Sequence, residues 1–209
     1  RFQYGAGIEN AWWRYDKTSY TLLIGTSDIE ASPDGTFNYE IEDTYDILPW
    51  LPITGRDKVY SVVITGGIKL INPVKWFKDY TGLIDFDGAG LDLSMATDHS
   101  VEALLMGCTS LTTVTGIDTW GDTLHSIKDL FNGDGKLTTL GGIEFWLDTS
   151  NITNMSGAFK GTSSLTELSF LRNWNVSNVT DFSDMFNGAT GLSTLNDIRT
   201  WNISKAVDL

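Results

Sequence analysis

Leu165-Thr166-Glu167-Leu168-Ser169-Phe170-Leu171-Arg172-Asn173-Trp174 sets an apolar residue at every third position and ends on a tryptophan. The same frame occurs three more times, as Leu111, Val114, Ile117 and Trp120, as Leu137, Leu140, Ile143 and Trp146, and as Leu192, Leu195, Ile198 and Trp201. The four tryptophans are separated by 26, 28 and 27 residues. A fixed period of that length with a bulky apolar framework predicts a repeat solenoid, each repeat forming one coil stacked on the next. One coil alone cannot offset the conformational entropy of ordering its own backbone, so the coils must share their apolar faces and hydrogen-bond to one another. The pattern directs the functional reading away from catalysis and towards an extended recognition surface.

Within one repeat, Leu165-Thr166-Glu167-Leu168 reads as a short strand and Asn175-Val176-Ser177-Asn178-Val179-Thr180 as a second strand or ladder. Asp181 to Phe186 reads as one or two turns of helix, capped by Thr180 or Asp181 and ended by Gly188 in the left-handed conformation. Gly107, Gly133 and Gly161 take the same place in their own repeats. Towards the N-terminus the pattern degrades. Val59 to Thr65 is a buried-strand candidate, and Trp76 to Leu83 aligns with Phe159 to Leu165, which gives a degenerate first coil over 57–104 and regular coils over 105–209.

Residues 1–56 have a different character. Strand-like runs at Ala11–Tyr15, Tyr20–Ile24 and Thr36–Ile41 alternate with turns at Asp16–Ser19 and Ser32–Gly35. This segment is expected to be a small antiparallel β cap covering the first coil of the 57–209 unit. The pattern stops in mid-repeat at Leu209, so a longer parent protein is expected, and these residues contain no signal peptide or anchoring tail.

Trp174-Asn175-Val176-Ser177-Asn178-Val179-Thr180-Asp181-Phe182-Ser183-Asp184-Met185-Phe186 and Asp148-Thr149-Ser150-Asn151-Ile152-Thr153-Asn154-Met155 resemble the repeats of BspA-type leucine-rich-repeat surface proteins of Gram-positive commensal bacteria. Met106-Gly107-Cys108-Thr109-Ser110-Leu111 is similar to the junction between those repeats, whereas Trp120 to Ser126 departs from the pattern. The resemblance implies a leucine-rich-repeat-like α/β solenoid of right-handed 26–28-residue coils with parallel strands and short helices. It further implies a secreted or cell-wall-attached adhesin that binds a host glycoprotein, matrix protein or another cell surface. The family supplies no catalytic or binding residue to carry over.

Composition narrows the remaining classes. The formal net charge of −13 offers no basic stripe for nucleic acid. No apolar run approaches the roughly 20 residues of a membrane span. The single Cys108 reads as a small packing residue, in register with Asp134, Thr162 and Ala189. His99 and His125 stand alone, without the spacing of a metal site, and Asn132 to Lys136 lacks the ligand pattern of a calcium loop. The acidic run Glu40–Asp46 reads as a solvated loop. The four Asn-x-Ser/Thr sequons at Asn151, Asn175, Asn178 and Asn202 share one repeat phase and suit stacked polar ladders. No catalysis, cofactor or metal is expected, and a monomeric fragment is.

Solenoid logic places binding on the polar positions between framework residues: Thr112, Thr113, Thr138, Thr139, Thr166, Glu167, Ser193 and Thr194. The rival reading is a carbohydrate-binding module that stacks sugars on the out-of-phase Trp12, Trp13, Trp50 and Trp76, unless these seal the cap onto the first coil. A passive wall spacer is the third reading.

Overall fold

The computed structural model describes residues 12–25, 39–40, 55–70, 72–94, 96–146 and 148–209. Sheet predominates among them, and the helices are short 3₁₀ turns. Strands β1 (Trp12–Asp16), β2 (Thr21–Gly25) and β3 (Tyr39–Glu40) form an antiparallel head. From β2 the sheet turns parallel through β4 (Ser61–Ile64), β6 (Asp85–Asp87), β8 (Thr113–Thr115) and β9 (Thr139–Leu140). The spatial order is β3-β1-β2-β4-β6-β8-β9, a mixed open sheet with β3 and β9 at its edges. A second parallel pair joins β5 (Ile68–Lys69) to β7 (Leu91–Asp92).

The head and the repeats therefore share one sheet. Thr21 lies beside Ser61, Ser61 beside Asp85, Asp85 beside Thr113, and Thr113 beside Thr139. The Tyr15 hydroxyl donates to the Lys58 carbonyl at 2.6 Å and ties the head to the chain entering β4. Of the third expected strand of the head, Tyr39 and Glu40 are found as β3; Thr36–Asn38, Ile41, the Ser32–Gly35 turn and the rest of the acidic run lie outside the described residues.

Parallel pairing recurs on a second flank as single bridges linking Ser100, Ser126, Asn154, Asp181 and Asp208 in sequence. The strand or ladder expected over Asn175–Thr180 does not form within that stretch; the pairing falls one residue beyond it, at Asp181. Each bridge residue except Asp208 also accepts an amide two residues on, as Asn154 Oδ1 does from Ser156 N at 2.9 Å and Asp181 Oδ1 from Ser183 N at 2.9 Å.

The expected helix over Asp181–Phe186 is absent. Asp184 takes φ +59°, a left-handed value that an α-helix cannot contain. Instead the chain makes successive tight turns, with Met185 N donating to Phe182 O, Asn187 N to Asp184 O and Ala189 N to Phe186 O, each at 3.0 Å. The intervening carbonyls of Ser183, Met185 and Asn187 accept from Gly157, Phe159 and Gly161 of the preceding repeat at 2.9, 3.0 and 2.8 Å. A helix would consume all these groups internally, whereas alternate turns leave every second one for the neighbour. Lys75, Ala103, Asp129 and Gly157 hold the same left-handed position in earlier repeats, with φ between 53° and 62°. Gly107, Gly133, Gly161 and Gly188 are left-handed as expected, at φ 74–88°, and they end this run of turns.

The expected strand at Leu165–Leu168 is also replaced. Leu168 leaves the extended region at φ −125°, ψ 21°, and the chain enters a 3₁₀ turn over Ser169–Leu171. The repeat holding Leu195 does the same before Asn196–Ile198.

The core follows the framework except in the last repeat, where Leu192 and Ile198 are half-buried and Leu195 is exposed. Leu111, Val114, Ile117, Leu137, Ile143, Leu165, Leu168 and Leu171 are buried, and so are Trp120, Trp146 and Trp174, while Trp201 is half-buried. Aromatic rings continue from repeat to repeat. Phe131, Phe159 and Phe186 succeed one another at centroid distances of 5.7 and 5.8 Å.

Candidate binding surface

The outward rows of the parallel strands form the most regular exposed surface. One row runs Thr21, Ser61, Asp85, Thr113 and Thr139, and the next Leu23, Val63, Asp87, Thr115 and Gly141, since side chains two apart share a face. The rows contain hydroxyls and two carboxylates and no lysine or arginine. Their position is fixed from beneath, because Leu22, Val62, Phe86, Val114 and Leu140 point into the core.

Four of the eight expected binding residues come together here. Thr113 and Thr139 are register partners. Thr112 and Thr138 occupy the strand entrance, where their hydroxyls donate to Ile84 O and Thr112 O, each at 3.2 Å. Those two hydroxyls serve the ladder, while Thr113, Thr115 and Thr139 face outward in the same rows as Ser61, Asp85 and Asp87. Thr166, Glu167, Ser193 and Thr194 are exposed but lie outside any strand, and Thr194 Oγ1 accepts Asn196 N at 3.1 Å to close its own turn.

The tryptophan alternative needs correction. Trp13 and Trp76 are each 1 % exposed and present no ring face to a sugar. Both belong to the core, where Trp76 meets Phe77 edge-on at 6.0 Å. The side chain of Trp12 and all of Trp50 lie outside the described residues. Among the described residues the exposed aromatics are instead Phe145, which is 57 % exposed, and a pair of tyrosines. Tyr20 and Tyr60 are 38 % and 40 % exposed, with ring centroids 4.7 Å apart, and Ile84 continues their column. Sequence reasoning missed this pair because the two tyrosines are 40 residues apart and meet only through the register of β2 and β4.

Cys108, Asp134 and two of the sequon asparagines, also singled out in the sequence, are built into the packing. Cys108 is fully buried and its Sγ donates to Phe77 O at 3.1 Å, while burial pushes the thiol pKa well up. Asp134, inside the calcium-like stretch, is turned wholly into the interior, and burial raises its carboxyl far above the usual carboxylate range. The Asn151 and Asn178 side-chain amides donate to Asp122 O and Ser150 O of the preceding repeat. Among the described residues no group of three or more His, Cys, Asp or Glu side chains is placed to hold a metal, and no helix is long and apolar enough to cross a membrane.

Residues 102–209, just over half of the chain, match the family model described as "Mycoplasma protein of unknown function, DUF285". No curated protein and no solved structure matches the chain.

Proposed function

The chain belongs to the DUF285 family of Mycoplasma proteins of unknown function, and on that premise we propose that it is a non-catalytic adhesion module exposed on a bacterial surface, a leucine-rich-repeat-like solenoid of the BspA type. The observation that carries this reading is the outward row of the parallel sheet. Ser61, Asp85, Thr113 and Thr139 stand in register on successive strands above a core that fixes their spacing. Such a row presents short polar side chains at intervals of about 4.8 Å, a rigid surface that loses little conformational entropy when a large partner docks. The partner class is a protein or glycoprotein of a host or neighbouring cell, met outside the bacterium.

The test is a combined Asp85→Ala, Thr113→Ala, Thr139→Ala variant, compared with the native chain for adhesion to immobilised matrix glycoproteins and cells. These are surface changes of about 0.5 kcal/mol or less each, so the melting temperature holds while adhesion falls. Adhesion that persists on an intact fold removes this face from consideration.

The Tyr20–Tyr60 pair supports a second reading, carbohydrate binding, with the exposed phenol rings as the stacking platform. Tyr60→Ala distinguishes the two: it abolishes capture on a glycan array if sugars are the ligand, and leaves protein adhesion intact if they are not.

A further inference from the structure

The chain contains two histidines, His99 and His125, and the fold brings them into ring contact, with centroids 4.8 Å apart and planes inclined at 59°. They are 26 residues apart in sequence and meet because the ladder places them in register, His125 N donating to His99 O at 2.7 Å. The backbone holds the first of them firmly. Asp98 and His99 are both left-handed, at φ 55° and 46°, and the His99 Nδ1 atom is buried without a hydrogen-bond partner. His125 is exposed and lines a surface depression together with Asp98, Glu102 and Asn72.

From this geometry we propose that His99 and His125 form a two-imidazole site for a late first-row transition cation such as Zn²⁺, Ni²⁺ or Cu²⁺. Imidazole nitrogen binds such ions at roughly 2.0–2.1 Å, which sets each ring centroid about 3.1 Å from the ion and two adjacent rings about 5 Å apart. The in-register spacing of a parallel ladder, about 4.8 Å, coincides with that separation. Equal residues on adjacent strands usually only stack; histidine is the case in which the same spacing also suits a shared ligand. With Nδ1 of His99 enclosed, its Nε2 is the ligating atom. Asp98 and Glu102 bring negative charge to the depression that His125 lines, and Lys128, 3.8 Å from Glu102, partly offsets it. Water completes the coordination, so the site is exchangeable, and imidazole ligation selects Zn, Ni and Cu over Mg or Ca.

The composition gives a clean test. No other imidazole exists in the chain, and its one thiol, Cys108, is enclosed in the core. Isothermal titration of the native chain with NiCl₂ and with ZnCl₂ is expected to give one ion per chain, reversed by EDTA, and MgCl₂ is expected to give no heat. Because His125 is exposed, His125→Ala retains the metal-free melting temperature and binds at least about tenfold more weakly. His99→Asn, which suits the left-handed backbone, does the same. In the native chain, paramagnetic Ni²⁺ broadens the imidazole resonances of both histidines together. Binding of equal strength in His125→Ala, or broadening of carboxylate-bearing residues without the histidines, shows adventitious binding and overturns the proposal. No saturable heat with either ion overturns it as well.

Discussion

The indole of Trp174 lies flat on that of Trp146, with centroids 5.1 Å apart and planes 8° from parallel. The two rings differ in one respect. Trp146 Nε1 donates to the Ile117 carbonyl of the preceding repeat at 2.6 Å, whereas Trp174 Nε1 is buried without a partner. Phenylalanine at either position removes similar area and disturbs the same stack, but only Trp146→Phe deletes a hydrogen bond. In urea denaturation Trp146→Phe is expected to cost about 1 kcal/mol more than Trp174→Phe. Equal costs would mean that the Ile117 contact contributes nothing net.

Gly157 and Ala103 occupy the same left-handed position two repeats apart, at φ 62° and 53°. A Cβ on Gly157 would stand 2.2 Å from Asp129 Oδ1, and the backbone strain of a left-handed non-glycine residue adds about 1–2 kcal/mol. Gly157→Ala therefore lowers the unfolding midpoint clearly. The reverse change, Ala103→Gly, relieves that strain but loses a buried methyl of about 0.8 kcal/mol and adds backbone entropy to the unfolded state. It is expected to fall within about 1 kcal/mol of neutral. Matched chemical denaturation curves of the two variants measure the asymmetry.

The Thr149 hydroxyl serves Asn175 twice, donating to its carbonyl at 3.2 Å and accepting from its amide at 2.8 Å. Thr149 is buried, so valine there strands both backbone groups at a cost of about 1–3 kcal/mol. Thr138 also donates to a neighbouring carbonyl, but it is exposed, and Thr112 O keeps its bonds from the Thr138 and Thr139 amides. Thr138→Val should therefore shift stability by no more than about 0.5 kcal/mol. Thermal melts of both variants decide the point.

The framework was readable in the sequence because burial enforces it. Leu111, Leu137 and Leu165 must fill the same core position, and a period of 26–28 residues records that requirement. The turns were not readable in the same way. Phe182, Met185 and Ala189 are buried at spacings of three and four, which suits a helix as well as a run of tight turns. What separates the two is the sign of φ at Asp184, and the equivalent residue is a lysine, an alanine, an aspartate or a glycine elsewhere. The surface was legible only in part. Thr113 and Thr139 lie in the regular repeats, where counting residues gives their register. Tyr20 and Tyr60 lie in the head and the degenerate coil, 40 residues apart, where counting fails and only the hydrogen-bonded ladder identifies neighbours, whereas His99 and His125 are one 26-residue period apart and read as isolated only because the motif lapses around them.

Asp134 breaks a column of small, satisfied side chains. In the equivalent position Cys108 donates to Phe77 O and Thr162 donates to Phe159 O at 2.8 Å, while both Asp134 carboxyl oxygens are buried and unpartnered. The nearby amides of Gly107 and Cys108 are already committed to Asn132 O and Leu105 O. Burial therefore holds this carboxyl protonated in the folded chain, with its pKa raised, whereas the unfolded chain releases the proton near pH ~3.9. A raised folded pKa gives stability that is fully present below the unfolded value and declines as pH rises, by up to about 1.4 kcal/mol per pH unit until the folded group ionises. Asp16, Asp148, Asp181 and Asp184 have lowered pKa values, so their contribution is lost at the acid end instead, as pH falls below the normal carboxylate range. Asp134→Thr copies the next repeat and supplies a hydroxyl to donate to Phe131 O. It is expected to raise the melting temperature at pH 7–8, to change it little near pH 4, and to flatten the decline between them. A native and a variant profile that run parallel from pH 4 to 8 would show that Asp134 is ionised and solvated in the fold.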